Sequence, residues 1–370
     1  MRIGIPAETE PGETRVAATP ETVKKLLTGG RHTVMVENGA GLGASIPDDA
    51  FTAAGATLGC TADVYQSEII FKVQRPQASE LPMLRRGSIL VGLLSPHQDI
   101  TPLAATGVTA FAMEWLPRIT RAQNMDVLSS QANIAGYKAV LIAAYEYGRF
   151  MPMLMTAAGT VKAARVLVLG AGVAGLQAIA TAKRLGAVIE AFDVRPAVKD
   201  EVQSLGAKFV EVELSDEERQ AQQTAGGYAR EMSEDYKKRQ HALIADRAKA
   251  ADIVITTALI PGRPAPLLVT EDTVKGMKPG SVIVDLASRQ GGNCELSLAG
   301  HTVVRHGVRI AAPDNAPASL AADASALYAR NLLNFSTLLL DPKTGALTLN
   351  REDEILAATL VCIDGAVVTH

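Results

Sequence analysis

The sequence predicts an α/β fold of two domains, with parallel sheets and a cleft between the domains. Short apolar runs of strand length alternate along most of the chain with longer segments of helical periodicity. One of these runs leads through a glycine-rich turn into a helix and then into a second run. At 370 residues the chain is also long enough to form two hydrophobic cores.

The N-terminal portion of the chain carries strand-like runs separated by helical stretches such as residues 21–27, which is typical of a parallel sheet. The runs cover residues 2–5, 33–37, 68–73, 88–93 and 109–112. A glycine cluster from Gly39 to Gly43 follows the second run, but its third glycine is one position too early for a nucleotide-binding turn. Pro47 and two aspartates then stand where a helix would receive phosphate, so this cluster is not interpreted as a nucleotide site.

A later glycine cluster has the full context of a nucleotide-binding turn. Residues 166–169 are a short β-branched apolar run, residues 173–185 have helical periodicity, and residues 187–192 form another strand-like run. The pattern G-x-G-x-x-G lies between the first two, formed by Gly170, Gly172 and Gly175. In this pattern the first glycine permits a tight turn, the second admits a pyrophosphate, and the third lets the helix pack on the strand. The sequence therefore predicts a Rossmann-like dinucleotide-binding domain beside a second Rossmann-like domain.

The dinucleotide is predicted to be NAD rather than NADP. Asp193 ends the second strand, where a carboxylate accepts the adenosine ribose hydroxyls and repels the 2′-phosphate of NADP. Arg195 is placed to pair with that phosphate, but the acid comes first, at the strand end. Backbone amides of the first helical turn face the pyrophosphate. The cofactor-binding residues predicted in this segment are Gly170, Gly172, Val173, Ala174, Gly175, Asp193, Val194 and Arg195.

Two later segments are further candidates for cofactor contacts. Between residues 213 and 246 the chain is strongly charged, and within it T-A-G-G-Y-A-R places paired glycines before Tyr228. A polar connection of this length is either disordered or a lid, and the glycines and the tyrosine ring favour a lid that closes over a ligand. Ala258 and Leu259 follow a strand at residues 252–256, at the sheet edge where ligands bind in open α/β folds.

A polar stretch at residues 117–130 lies between an apolar strand and an apolar helix. One interpretation is a solvated loop in which the Ser130 hydroxyl caps the helix that follows. The other is a substrate-facing loop, in which the Asp126 carboxylate orients the guanidinium of Arg118 and Gln123 binds a carboxamide. Both interpretations fit the residue types.

The remaining segments indicate how the two domains connect. A long apolar helix at residues 131–148 is predicted to join them, and a helix at residues 318–335 returns the chain to the first domain. G-G-N-C at residues 291–294 is interpreted as a turn, and Asp364-Gly365 as the turn of a terminal hairpin. The predicted domains are residues 1–128 completed by 325–370, and an NAD-binding domain at 129–324.

Composition excludes several classes of protein. A net charge of -3 and an aromatic content of 4% argue against a nucleic-acid-binding surface. The three cysteines are widely spaced and the six histidines form no ligand spacing, so neither a disulfide framework nor a metal site is expected. No apolar segment reaches the roughly 18 residues needed to span a bilayer, and no leader precedes the first strand. These features predict a cytoplasmic protein.

Several stretches resemble the alanine dehydrogenase and nicotinamide nucleotide transhydrogenase superfamily over essentially the whole chain. They are R-I-G-I-P at residues 2–6, R-V-A at 15–17, F-K-V-Q-R-P at 71–76 and the glycine pattern. Two longer stretches are similar to the soluble NAD(H)-binding component of proton-translocating NAD(P) transhydrogenase. They are P-R-I-T-R-A-Q-N-M-D-V-L-S-S-Q-A-N-I-A-G-Y at residues 117–137 and T-A-G-G-Y-A-R-E-M at 224–232.

The resemblance to alanine dehydrogenases fails at the substrate residues. Those enzymes carry a lysine and a histidine for the amino-acid substrate, and this chain has Gln74 and Ser95 at the matching positions. Lys72 and His97 lie nearby but two positions out of register, where a general acid would not meet the substrate. Arg15 is shared by both branches and does not separate them.

The resemblance to transhydrogenases implies roles for particular residues. The loop residues that handle the nicotinamide in that family correspond to Arg118, Gln123, Asp126 and Ser129, and the tyrosine of its mobile loop corresponds to Tyr228. It implies that NAD(H) binds here, that NADP(H) binds on a partner subunit, and that hydride passes directly between them. A membrane-spanning partner, a homodimer and a location peripheral to the inner membrane are implied in the same way.

Two other functions compete with this interpretation. An amino-acid dehydrogenase would produce NADH in the presence of alanine, and a NAD-sensing regulatory subunit would bind NADH without transferring hydride. Direct transfer between two nicotinamide rings needs alignment of the reacting atoms at about 3–3.5 Å rather than a general base. A loop of positioning residues without a catalytic dyad therefore favours transhydrogenation.

Overall fold

Each of two units in the chain is built around a mainly parallel sheet. The computed structural model describes residues 1–212, 234–260, 262–341 and 343–369. Unit 1 comprises Met1–Gln131 and Pro317–His370, and unit 2 comprises Ala132–Ala316. These units change over a few residues away from the boundaries predicted near residues 128 and 325. Residues 317–324 belong to unit 1 because the Thr14 hydroxyl donates to the Ala318 carbonyl and the Gln131 amide donates to the Ala324 carbonyl.

The described residues form strands in both units. They are β1 (Arg2–Ile5), β2 (Thr33–Glu37), β3 (Thr57–Gly59), β4 (Ile69–Phe71), β5 (Ile89–Gly92), β6 (Thr109–Ala112), β7 (Leu154–Thr156), β8 (Gly159–Val161), β9 (Arg165–Leu169), β10 (Val188–Phe192), β11 (Lys208–Val210), β12 (Ile253–Thr256), β13 (Val282–Asp285), β14 (Thr302–Arg305), β15 (Val308–Ala311), β16 (Leu360–Ile363) and β17 (Ala366–Val367).

The α-helices of the same residues connect most of these strands. They are α1 (Pro20–Leu26), α2 (Asp48–Ala53), α3 (Thr61–Tyr65), α4 (Thr101–Ala104), α5 (Val127–Glu146), α6 (Val173–Arg184), α7 (Lys199–Ser204), α8 (Glu234–Ala250), α9 (Glu271–Lys275), α10 (Ala321–Leu339) and α11 (Glu354–Thr359). Short 3₁₀ segments at Met113–Trp115 and Thr120–Met125 precede α5.

The described part of unit 1 forms a sheet in the order β17-β16-β6-β5-β4-β1-β2-β3. Strands β1 to β6 are parallel, while β16 is antiparallel to β6 and β17 antiparallel to β16. Ile69 and Phe71 pack in the core on one face, and Ile70 packs in the core on the other. Burial on both faces explains why these strands are continuous apolar runs in the sequence.

The described part of unit 2 forms a sheet in the order β11-β10-β9-β12-β13-β15-β14. All neighbours are parallel except the edge strand β14, which is antiparallel to β15. The chain leaves β9 towards β10 and β11, then returns to place β12 on the other side of β9. The carboxyl ends of β9 and β12 therefore form the topological switch point, where ligands bind in this class of sheet.

The predicted fold class is confirmed, and most differences concern the ends of elements. The joining helix was predicted at residues 131–148, but α5 begins earlier, at Val127. The returning helix was predicted at residues 318–335, but α10 runs from Ala321 to Leu339 after a 3₁₀ turn. The terminal hairpin is confirmed as β16 and β17. Helix ends depend on capping contacts that periodicity does not reveal.

Three features of the described residues concern membrane-spanning helices, metal-ligand groups and the contacts of the rejected glycine cluster. No helix among the described residues is long and apolar enough to cross a bilayer. The same part of the chain contains no group of three or more His, Cys, Asp or Glu side chains arranged to hold a metal ion. In the rejected glycine cluster, the Gly39 amide donates to the Asp48 carboxylate at 2.9 Å, so a side chain of the protein already uses that donor.

Candidate dinucleotide site

The glycine-rich turn of unit 2 links the end of β9 to the start of α6. Gly170 has a φ of +100°, which L side chains rarely adopt, and a Cβ atom there would lie 2.7 Å from Thr257 Oγ1. Its N–H donates to the Phe192 carbonyl at 2.8 Å, which joins the turn to β10. The first glycine of the pattern is therefore required by both conformation and space.

The other two glycines of the pattern have different surroundings. A Cβ atom on Gly175 would lie 1.8 Å from the Gly170 carbonyl oxygen, so only glycine lets α6 pack this closely on the turn. Among the described residues, a Cβ atom on Gly172 would meet only the Arg195 guanidinium, at 3.9 Å. Gly172 therefore lies beside an open surface at the first turn of α6, where the helix has no side-chain cap among those residues and its first amides lack intrahelical partners. This surface, with Val173 and Ala174 behind it, suits a pyrophosphate.

Helix α5 contacts the same turn through a residue that was not among the predicted contacts. A Cβ atom on Gly136 would lie 2.0 Å from the Ala174 carbonyl oxygen and 2.9 Å from its Cα atom. Gly136 thus permits backbone-to-backbone contact between α5 and the first turn of α6. Its signal in the sequence was a lone glycine inside an otherwise apolar helical segment.

Asp193 lies at the end of β10, where the sequence predicted it, and its carboxylate is well buried. Its Oδ2 accepts the Ala171 N–H at 2.7 Å and the Arg195 NH2 group at 2.9 Å. Its Oδ1 accepts the Arg195 backbone N–H at 2.9 Å and Nε at 3.0 Å. Burial opposes ionisation of the Asp193 carboxyl, but the hydrogen bonds from Arg195 and Ala171 outweigh it and hold the pKa below its usual range.

These four bonds occupy the lone-pair positions that the Asp193 carboxylate offers. In this arrangement the Arg195 guanidinium uses two of the positions at which the sequence predicts that the carboxylate accepts ribose hydroxyls. The Asp193 side chain is 6% exposed and that of Arg195 is 39% exposed, so the arginine is the partner that has room to move. Val194, between them, is half-buried against the core of unit 2.

Ala258 and Leu259 follow β12 at the carboxyl edge of the sheet, beside the glycine turn. The Thr257 N–H donates to the Leu169 carbonyl at 2.9 Å, and its hydroxyl donates to the Gly170 carbonyl at 3.0 Å. Ala258 is half-buried, whereas Leu259 is 47% exposed. Tyr228, the other predicted cofactor contact, lies outside the described residues.

Asn293, which lies in the predicted G-G-N-C turn, binds the Ala258 segment directly. Its amide oxygen accepts the Ala258 N–H at 3.0 Å, and its amide nitrogen donates to the Ala258 carbonyl at 2.9 Å. The only signal in the sequence was an asparagine after two glycines, and many ordinary turns share that signal.

In unit 1, Asp126 and Ser129 form the N-terminal cap of α5. The Ser129 N–H and hydroxyl donate to the Asp126 carboxylate at 2.9 Å and 2.5 Å. The cap by Ser130, part of the solvated-loop interpretation, is therefore wrong, since the Ser130 hydroxyl donates instead to the Val127 carbonyl and to Asn331. The physical reason is reach, because a cap side chain accepts from the amide two or three residues later, and Asp126 is the acceptor that precedes the helix.

The proposed pairing of Asp126 with Arg118 is absent from the hydrogen bonds of the described residues. Asp126 accepts from Ser129 instead, and Arg118 and Gln123 are both exposed. The loop is held through its backbone, because Asn331 and Asn334 on α10 donate to the Asn124 carbonyl at 2.9 Å and 2.8 Å. The structure thus presents two exposed polar side chains on an anchored loop.

Lys72 and His97 are the basic residues nearest the positions that the alanine dehydrogenase alternative requires, and both contact other side chains of unit 1. The Lys72 ammonium lies 2.9 Å from Glu80 Oε1 and 3.4 Å from Glu8 Oε2, and its side chain is 1% exposed. The His97 ring packs edge-on against Trp115, with ring centroids 6.1 Å apart. A lysine buried between two carboxylates serves the fold of unit 1 rather than a substrate.

The residues at the matching positions are also engaged within unit 1. The Gln74 amide donates to Glu13 Oε2 at 2.8 Å, and the Ser95 N–H donates to Glu114 Oε1 at 2.7 Å. The buried Arg15 guanidinium donates twice to the Glu13 carboxylate and once to Gln131. These groups therefore satisfy one another, and none of them is a free general acid.

Both halves of the chain match one protein family. Residues 4–135 match the N-terminal domain of the alanine dehydrogenase/PNT family, and residues 139–370 match its C-terminal domain. The chain belongs to the alanine dehydrogenase/PNT family. Both domains of the family architecture are present, in agreement with the resemblance carried by the sequence motifs.

Within the alanine dehydrogenase/PNT family, the chain is more similar to transhydrogenase subunits than to alanine dehydrogenase. It is 54% identical to the first portion of the NAD(P) transhydrogenase alpha subunit of Rhodospirillum rubrum, covering 100% of this chain and 98% of the relative. A transhydrogenase structure from Sinorhizobium meliloti has a TM-score of 0.90 and 50% identity, with 100% of both chains covered. The alanine dehydrogenase of Mycobacterium tuberculosis is 35% identical, covering 79% of this chain and 74% of that enzyme.

Proposed function

We propose that this chain is the NAD(H)-binding subunit of a proton-translocating NAD(P) transhydrogenase. In this function it passes hydride directly between its own NADH and NADP⁺ bound on a partner subunit. The observation that carries the proposal is the contrast between the two units. The glycine turn of unit 2 is shaped for a dinucleotide, while in unit 1 Gln74 and Ser95 stand where an amino-acid dehydrogenase has its substrate lysine and histidine, and the nearby Lys72 is buried in an ion pair.

Different residues of unit 2 bind different parts of the cofactor. The amides near Gly172 bind the pyrophosphate, and Asp193 binds the adenosine ribose after Arg195 has moved aside. The remaining cofactor contacts that we propose are Val173, Ala174, Gly175, Gly170, Val194, Ala258, Leu259 and Tyr228. When bound, NADH supplies the hydride, and the protein supplies orientation.

The exposed side chains of Arg118 and Gln123 are proposed to hold the nicotinamide carboxamide. Asp126 and Ser129 form the N-terminal cap of α5 at the end of the same loop. Their contribution is to hold the loop in position. Orientation is the main requirement of this reaction, because misplacing a reacting ring by about 1 Å can cost on the order of 100-fold in rate.

The partners follow from the same proposal. NADP(H) binds on a second subunit, a third spans the membrane, and this chain acts as a homodimer at the cytoplasmic side of the inner membrane through those partners. The relative from Rhodospirillum rubrum is named as one portion of an alpha subunit, which supports a function that depends on other chains.

The test is reconstitution with an NADP(H)-binding transhydrogenase component, following reduction of a NAD analogue by NADPH. Arg118→Ala and Gln123→Asn are expected to slow transfer by at least about tenfold, roughly 1.4 kcal/mol of transition-state stabilisation, while NADH affinity changes less. The matched control is Arg121→Ala on the same loop, since the described ion pairs of Arg121 are with Asp353 and Glu354 on the surface of unit 1.

Two outcomes would contradict the proposal as a whole, and a third would change the role of Arg118. Alanine-dependent NADH production by the chain alone would favour an amino-acid dehydrogenase. Binding of NADH with no hydride flux in the presence of the partner component would favour a NAD-sensing subunit. A loss of NADH affinity in Arg118→Ala at an unchanged saturated rate would make Arg118 an ordinary binding contact.

A further inference from the structure

The Ala258 segment lies against the glycine turn, past the end of strand β12, where the sheet no longer binds its backbone. Strand β12 ends at Thr256, so Ala258 has no partner strand among the described residues. It is nevertheless close to the turn, since a Cβ atom on Gly170 would lie 3.1 Å from the Ala258 nitrogen. Thr257 ties the start of this segment to the turn, whereas the N–H and carbonyl of Ala258 are bound by a side chain from outside the strand.

Asn293 provides those contacts through three hydrogen bonds. Its Oδ1 accepts the Ala258 N–H at 3.0 Å, and its Nδ2 donates to the carbonyls of Ala258 and Pro266 at 2.9 Å and 2.8 Å. The Asn293 side chain thus binds both the N–H and the carbonyl of Ala258, as a neighbouring strand would bind them. A primary amide is suited to this position because it carries both an acceptor and two donors.

Asn293 is itself held by Asp285, at the carboxyl end of β13. The fully buried Asp285 carboxylate accepts the N–H groups of Asn293 and Cys294 at 2.9 Å and 3.0 Å, and the Ser297 hydroxyl at 2.7 Å. Gly292 has a φ of +79°, and a Cβ atom there would lie 2.9 Å from Asp285 Oδ2. Glycine at this position therefore lets the loop approach the carboxylate and presents Asn293 in one orientation.

We propose that Asn293, oriented by Asp285, is a positioning residue for NAD binding. It sets the distance between the Ala258 segment and the Gly170 turn, and so the width of the site at the switch point of unit 2. This inference rests on the proposed function, because it assumes that the dinucleotide lies between these two segments. Asn293 itself acts through the backbone of Ala258.

Asn293→Asp tests the proposal with almost no change in shape. An aspartate carboxylate still accepts the Ala258 N–H. Its other oxygen cannot donate, however, and is repelled by the two carbonyl oxygens to which the amide had donated. The affinity for NAD⁺, measured by titration calorimetry on the full chain, is expected to fall by about tenfold or more. It should recover partly as the pH is lowered, since a protonated carboxyl donates to one of those carbonyls again.

The matched control is Thr270→Ala, which removes the N-terminal cap of α9. Thr270 lies in the same unit and makes no described contact with Ala258 or the glycine turn, so its loss should lower thermal stability and leave NAD⁺ affinity unchanged. Asn293→Ala is the second variant, because it removes the three bonds without placing a charge among them. It should weaken NAD⁺ binding at every pH, without recovery in acid.

The outcomes separate this inference from the proposed function. If the wild-type chain fails to bind NAD⁺, the proposed function fails. If the wild type binds while Asn293→Asp and Asn293→Ala bind as tightly, the positioning role is wrong and the function stands. If Thr270→Ala weakens binding as much as Asn293→Ala, the effect of Asn293 is one of stability alone, and the inference is also overturned.

Discussion

At the scale of single residues, the most informative pair is Asp193 and Arg195. In the sequence the two argued for different cofactors, because an acid repels the 2′-phosphate of NADP and a base attracts it. In the structure they are hydrogen-bonded to each other, with the carboxylate buried and the guanidinium partly exposed. While the pair is formed, the Asp193 carboxylate and the Arg195 guanidinium are each less available to a ribose.

The first prediction is that the chain binds NADH well and NADPH poorly, and that Asp193→Ala narrows the difference. Removing the carboxylate loses the ribose contact and releases the Arg195 guanidinium, which then attracts a 2′-phosphate. Calorimetry with both nucleotides should show NADH affinity falling by about tenfold or more, an effect of roughly 1.4 kcal/mol.

Arg195→Ala is the companion variant, since it leaves Asp193 in place. It should preserve the preference for NADH because the carboxylate still repels the phosphate. Equal affinities of the wild-type chain for the two nucleotides would refute the assignment of Asp193.

At the scale of elements, the packing of α5 on the first turn of α6 depends on one glycine. A glycine inside a helix costs about 1 kcal/mol relative to alanine in an exposed site. Gly136 lies at a point where any side chain would enter the backbone of Ala174. Close packing here places α5 directly behind the amides proposed to bind pyrophosphate.

The second prediction is that Gly136→Ala destabilises the chain, although helix propensity alone would make it stabilising. The added methyl group must displace the Ala174 backbone, and overpacking of this kind costs about 1–3 kcal/mol. Thermal or denaturant unfolding measures the loss, and NAD⁺ affinity should fall with it because the first turn of α6 moves.

Gly148→Ala is the matched control, because a Cβ atom there would meet none of the described residues within 4 Å. It should leave stability within about 0.5 kcal/mol of the wild type. A Gly136→Ala chain as stable as Gly148→Ala would show that α5 and α6 adjust to the methyl group without cost.

At the scale of the whole molecule, the two units bury their charged groups differently. In unit 2 the buried carboxylates of Asp193 and Asp285 lie at the carboxyl edge of the sheet. In unit 1 both partners of several ion pairs are buried, including Glu13 with Arg15 and Glu8 with Lys72. Burial raises the pKa of Glu8 to about 7 despite Lys72 and two backbone N–H groups. Burial also opposes ionisation of Glu13, but hydrogen bonds from Arg15 and a neighbouring glutamine amide prevail and lower its pKa to about 2.

The third prediction concerns the dependence of stability on pH. The folded pKa of Glu8 is raised from 4.5, so its stabilising contribution is complete below 4.5 and is lost as the pH rises through about 7. The folded pKa of Glu13 is lowered from 4.5, so its contribution is present above 4.5 and is lost as the pH falls toward about 2. Together these two groups favour maximal stability of the fold near pH 4.5, where both contributions are largely present.

Glu8→Gln tests the loss of stability that ionisation of Glu8 causes as the pH rises. The variant should lose less stability than the wild type as the pH rises through about 7, by up to about 3 kcal/mol in the free energy of unfolding. Denaturant unfolding at a series of pH values measures the slope. The same slope in Glu8→Gln and in the wild type would show that Glu8 is ionised in the folded chain throughout that range.

The sequence by itself determined the elements whose cause is local. Apolar runs of strand length predicted the buried strands, and the spacing of Gly170, Gly172 and Gly175 predicted the turn between β9 and α6. The longer motifs also identified the transhydrogenase branch of the family, which the comparisons confirm. Such features follow from periodicity and backbone conformation, which neighbouring residues set.

Only the tertiary structure decided which distant groups meet. It paired Gly136 with Ala174, joined Asn293 to Ala258, and buried Lys72 between two carboxylates. The roles of Arg118, Gln123 and Tyr228 stay predictions. A side chain's partner depends on how strands and helices from separate parts of the chain are brought together, and no spacing within one segment carries that information.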